Sequence, residues 1–176
     1  MGNRITGEYH PFLYNPSLEE HKPTDFGVTV EEFIENYETA LNVLGYELWQ
    51  LSPPEERQII YRLSVQVQLD KFRVLVITAN SSNRSVRAVT FFGGGQGQSS
   101  DDVAIAVGAF AMGMALENPT MTPENRDVLG KDLGILDGNI LDIANDEKID
   151  IERDGAKYYV SPWKGIGIMI AAEPSG

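Results

Sequence analysis

The chain has 176 residues, 42% of them hydrophobic, no cysteine and a formal net charge of −12. Lacking cysteine, it has no disulfide, thiolate catalysis or zinc–thiolate site. Its acidity argues against nucleic-acid binding through phosphates and against adsorption to anionic membranes. Seven Tyr, seven Phe and two Trp are enough for a real core in one domain, or in two small halves that share one.

Residues 1–27 read as an extended arm. Pro11, Pro16 and Pro23 break helices, and Tyr9, Phe12 and Tyr14 are free to dock on the domain or on a partner. Both histidines, His10 and His21, lie in this arm. A single domain is expected over 28–176.

The first helix announces itself. Thr29 with Glu32 three residues later makes a capping box, and Phe33, Ile34, Tyr37, Leu41 and Leu44 share one face. Gly45 stops it. Tyr46 to Leu51 reads as a short strand ended by Pro53-Pro54. From Ile59 to Leu69 apolar residues then alternate with polar ones, predicting one long half-buried strand with Arg62, Ser64, Gln66 and Gln68 on its polar face. Asp70-Lys71 turns the chain, and Phe72–Ala79 follows as a strand apolar on both faces and hence central. Asn80–Asn83 turns again, and Arg84–Phe92 is the third strand of the meander.

Gly93, Gly94, Gly95 and Gly97 lead into a helix capped by Ser99 or Ser100. From Val103 to Leu116 there are fourteen residues without a polar side chain. Such a helix must be enclosed, and its rise of roughly 21 Å is short of a bilayer span. Thr122 caps a second short helix with Pro123 at its first position. Lys148–Arg153 alternates, Asp154-Gly155 is a two-residue hairpin signal, Ala156–Ser161 returns, Pro162–Gly165 turns, and Ile166–Ala172 closes as an apolar strand. The expected fold is α+β: an antiparallel sheet of about six strands with helices packed on one face. Residues 29–92 and 99–172 repeat the order helix then strand meander, as duplicated halves would.

Three chemistries are weighed. The glycine loop, with Gly94, Gly95, Gly97, Ser99 and Ser100, could hold a small anion on its backbone amides at a helix N-terminus. The P-loop and dinucleotide spacings are absent, however, and Asp101 and Asp102 stand where a phosphate would sit. A flexible connection is favoured. The oxygen-rich run Asp137, Asp142, Asn145, Asp146, Glu147, Asp150, Glu152 and Asp154 could attract Ca²⁺. It lacks EF-hand spacing and alternates with isoleucines as a solvated strand does, so no metal ligand is assigned and no cofactor is expected. With no cysteine, both histidines in the arm and no nucleophile elbow, an enzyme is disfavoured.

Charge distribution is the most usable hint. Residues 55–92 carry +3, leaving −15 for the rest. If helices cover one face of the sheet, the other presents Arg62, Ser64, Gln66, Gln68, Arg73 and Arg87 as a flat, mildly basic platform for a protein partner. A homo-oligomer is the second expectation, with Ala104, Gly108, Gly113 and Ala115 allowing close helix approach. No nucleic acid and no membrane insertion is expected.

The segment TVEEF at Thr29–Phe33 and the closing DGAKYYVSPWKGIGIMIAAE resemble small exported bacterial proteins and lipoproteins of unknown function. That resemblance covers about a fifth of the chain. It implies export, with a leader already removed since Met1–Tyr14 has no apolar run, and it carries no catalytic or ligand residue across. In its acidity and its α-β-β-β-α-β-β order the chain is also similar to type III secretion chaperones, which implies a cytosolic acidic homodimer. Together these give a non-catalytic, inhibitor- or immunity-like or envelope-associated protein-binding module. The alternatives are the chaperone-like homodimer, or a small-anion or Ca²⁺ binder.

Overall fold

The computed structural model describes residues 25–46, 49–136, 149–163 and 167–176. The aromatic arm residues Tyr9, Phe12 and Tyr14, and Asp137, Asp142, Asn145, Asp146 and Glu147 of the acidic run, lie outside them. The elements in order are α1 (Val30–Val43), β1 (Glu55–Ile59), β2 (Arg62–Gln68), β3 (Arg73–Asn80), β4 (Val86–Gly94), α2 (Ser99–Glu117), α3 (Pro123–Asp132), β5 (Ile149–Arg153), β6 (Ala156–Trp163) and β7 (Gly167–Pro174). The strands form one antiparallel sheet in the order β1-β2-β3-β4-β7-β6-β5. Two meanders, each preceded by helix, therefore meet through their last strands, with Phe91 opposite Ile170.

The fold is α+β with an antiparallel sheet, as its sequence predicts, but with seven strands. The difference lies at Ile59–Leu69, which is not one strand. The chain turns at Ile60-Tyr61, with Ile60 at φ +51°, and β1 folds back on β2 from Glu55↔Gln66 to Ile59↔Arg62. A two-residue turn shifts the facing by one, so Ile59 shares a face with Arg62; the apolar alternation of Leu63–Leu69 continues through Tyr61 and Ile59 in sequence only because both are exposed apolar residues. Ile60 and Tyr61 are also not residues that favour such a turn. Residues 49–51 are not strand either: Trp49 stacks edge-on against Tyr46 at 4.9 Å and donates to Asp70 Oδ2 at 2.9 Å, anchoring a loop.

α1 begins as its capping box requires, with Glu32 N donating to Thr29 Oγ1 at 3.3 Å and Thr29 N to Glu32 Oε2 at 2.8 Å. It buries Phe33, Tyr37, Ala40 and Leu41. α3 is capped by Thr122, as predicted. α2 is the central helix, and Ala104, Ile105, Gly108, Ala109 and Ala111–Ala115 are buried along it. Its small residues serve packing within the chain. A Cβ on Gly108 would fall 2.4 Å from the Phe91 ring of β4, and one on Gly113 would meet Leu129 of α3 and its C-cap Leu133 at 3.1–3.2 Å. Tyr37 donates to the Gly108 carbonyl at 3.2 Å, tying α1 to α2. Burial raises this phenol's pKa, so it stays a donor.

The helix-facing side of the sheet is the core. Leu63, Val65, Val67, Leu75, Ile77, Val89, Phe91, Ile170, Tyr158 and Val160 are buried there. Arg153 of β5 pins this side, bonding Glu117 of α2 at 2.6 and 2.8 Å and also Asp132 of α3.

Candidate functional site

Parity along each strand places the other residues on the opposite side of the sheet, where no described helix packs. Cross-strand registers align them in rows. Gln66, Val76, Thr90, Ala171, Tyr159 and Asp150 form one row, and Gln68, Val74, Phe92, Met169 and Ser161 the next. The middle of this face, on β3, β4 and β7, is thus apolar: Val74, Val76, Ala88, Met169 and Ala171, all part-buried. Gln66, Gln68, Lys71, Phe72, Val74, Val76, Phe92 and Gly94 line a shallow groove of ≈ 350 Å³ on it.

The expected binding residues divide. Arg62, Ser64 and Gln66 lie on the open face of β2, Arg62 and Gln66 exposed. Gln68 lies there too, but its amide turns back to donate to the carbonyls of Asp70 and, at 3.0 Å, Arg73. Arg87 is the extra residue of a bulge where β4 slips against β3. Burial and the nearby Arg62 charge lower its pKa, opposed by Asp25. Lowering by a like charge places two guanidiniums at the same end of the face.

Arg73 is a correction. It shares parity with Leu75, Ile77 and Ala79, so it points to the helix side and is only 6% exposed. There it bonds Asp70 at 2.7 Å and Asp101 at 2.6 Å. A buried guanidinium must be paired, and these two carboxylates pair it. The open face is therefore not the uniformly basic platform expected: its basic residues stand at the margins of an apolar centre. β3, apolar on both faces and central in the sheet as expected, supplies Val74 and Val76 to that centre.

The glycine loop is filled from within. Asp101 Oδ2 accepts from the backbone N–H of Gln96 at 2.7 Å and of Gln98 at 3.2 Å, while Oδ1 takes Arg73. Gln98, not Ser99 or Ser100, is the N-cap, and both serines are exposed. Gly95 is required by this arrangement, since a Cβ there would lie 2.4 Å from Asp101 Cγ. Gly97 adopts φ +79°, the left-handed conformation glycine takes without strain. Gly94 pairs with Gly167 across β4 and β7. The Asp101 carboxylate thus takes the place an external anion would need. The Gln96 and Gln98 amides, then Arg73, hold its pKa below the ordinary value against a smaller desolvation cost.

Of the acidic run, Asp150 and Glu152 are exposed on β5 and face the open side, opposite Tyr159 and Lys157. Asp154 turns the β5–β6 hairpin at φ +46°, followed by Gly155 at φ +76°, as that dipeptide predicts. Among the described residues no group of three or more His, Cys, Asp or Glu is gathered as a metal ion would need. Compared with family models, curated proteins and solved structures, the chain matches none.

Proposed function

We propose that the protein is a non-catalytic protein-binding module whose working surface is the open face of its sheet. One observation carries this reading: a seven-stranded sheet buries one face under its helices and sets an apolar centre on the other, at Val74, Val76, Met169 and Ala171. Apolar surface gathered in a patch and rimmed by polar and charged groups is the usual anatomy of an interaction site. Arg62 and Gln66 at its margin are the polar contacts. The groove between β2 and β4 is of a size to take one apolar side chain from a partner. The anion-binding alternative is weaker, because Asp101 already uses the amides of the glycine loop.

A photo-reactive residue tests this reading when placed at Gln66 on the open face, beside the same residue at Lys131, exposed on α3. Irradiation in the native cytoplasm or envelope should give a protein adduct from position 66 and none from 131. The adduct should disappear when Val76→Asp is added. No adduct from 66, or equal adducts from both positions, would overturn it.

A further inference from the structure

We infer that the occupant of the open sheet face is a second copy of this chain, packed sheet against sheet about a two-fold axis that runs along β4. The inference rests on the binding reading above and names its partner. Two observations carry it.

The first is charge. The face is polarised about its middle strand. On the β1 to β4 side, among the described strand residues, Arg57, Arg62 and Arg87 stand against Glu55, with Asp25 of the segment before α1 also near Arg87. On the β7 to β5 side, among the described strand residues, Asp150, Glu152 and Glu173 stand against Lys157 alone. A face positive on one half and negative on the other complements itself under a two-fold parallel to its strands. β4 is the fourth of seven strands, so this axis lays β3 over β7 of the second copy, β2 over β6 and β1 over β5. The registers then match row for row. Val76 meets Ala171, Val74 meets Met169, and Arg57 meets Glu152. One like pair, Glu55 with Asp150, falls at the rim.

The second is area. Strands about 4.8 Å apart and rising about 3.3 Å per residue give a seven-stranded face of roughly 800 Å². A standard stable interface buries about 800 Å² on each partner. Packing of two twisted sheets face to face over an apolar middle is an ordinary solution for burying such a surface.

Sedimentation velocity on the full chain over a wide concentration range tests this. Wild type should sediment as a dimer. Val76→Glu places two carboxylates in the apolar centre of each dimer and should raise Kd by roughly 100-fold or more. Its far-UV circular dichroism should not change, because the residue lies outside the core. Asp150→Lys turns the two rim repulsions into attractions and should lower Kd by roughly tenfold at low salt. Arg57→Glu should raise it, and Glu152→Arg in the same chain should restore it. A wild type monomeric at every concentration overturns the inference, as does a dimer that Val76→Glu leaves intact. The binding reading fails separately: a monomer that still yields a Gln66 adduct with another protein loses only the second copy, whereas no adduct at all loses both.

Discussion

Replacing Gly108 by alanine asks directly what the small residues of α2 are for. The new Cβ would lie 2.4 Å from both Cε2 and Cζ of Phe91 and 3.1 Å from Trp49. Carbon contacts are comfortable from about 3.5 Å, so ring or helix must yield by about 1 Å. Neither yields easily. Phe91 is fully buried in β4, between ladders to β3 and β7, and the Gly108 carbonyl is held by Tyr37. Overpacking of a core costs about 1–3 kcal/mol, and two ring atoms at this separation put the site near the top of that range. Alanine returns about 1 kcal/mol of helix propensity, leaving a net loss of about 2 kcal/mol. Gly113 is the internal control. Its Cβ would meet only the methyl ends of Leu133 and Leu129 at 3.1–3.3 Å. Those can rotate away, so Gly113→Ala should fall within about 1 kcal/mol of wild type. Urea unfolding with an unchanged m-value measures both. Adding Phe91→Leu to Gly108→Ala should recover part of the loss, as a coupled pair does. If Gly108→Ala is as stable as wild type, or Gly113→Ala is the more damaging, the account of α2 as a helix seated by its glycines is wrong.

Two further outcomes follow from local chemistry. The Asp101 carboxylate is held below its ordinary pKa by the Gln96 and Gln98 amides and by Arg73. A lowered folded value means that the stability it adds is full above the unfolded pKa and is lost as pH falls through the folded one. Asp101→Asn should therefore flatten the acid limb of the stability–pH curve, and an unchanged acid limb would contradict the assignment. Ile60 is a β-branched residue at φ +51° with 77% exposure, so it is both strained and wasted as apolar surface. Ile60→Gly should stabilise the chain by about 0.5–1 kcal/mol in thermal or urea melts, since left-handed backbone costs a non-glycine residue roughly 1–2 kcal/mol. A loss of stability would mean that the tip makes contacts that matter.

Much of this architecture is legible one residue at a time. The Thr29–Glu32 capping box, Thr122 with Pro123 and the Asp154-Gly155 hairpin all rest on interactions between near neighbours. Such local rules act on the sequence whatever surrounds it. The α+β class follows too, because strand runs joined by short turns can only pair antiparallel. The Ile60-Tyr61 turn was not legible, as alternation passes through it and neither residue is a turn former.

The site was legible only in part. Arg62, Ser64 and Gln66 fall where the period of two puts them. Arg73 is a lesson in the same rule, since its parity with Leu75 already places it on the core side, and only its charge suggested otherwise. What no local pattern could supply is where Asp101 goes. Sequence alone fixes its place at the start of α2, an apparent obstacle to an anion. The tertiary structure decides that it is itself the anion, because folding brings the amides of Gln96 and Gln98 and the buried guanidinium of Arg73, 28 residues away, onto one carboxylate. The open face is decided in the same way. Each strand states which of its residues alternate, but the joining of the two meanders at β4 and β7 makes Val74, Val76, Met169 and Ala171 one surface. That joining is a long-range pairing, set by the burial of the helix-facing side and not by any residue on the face itself.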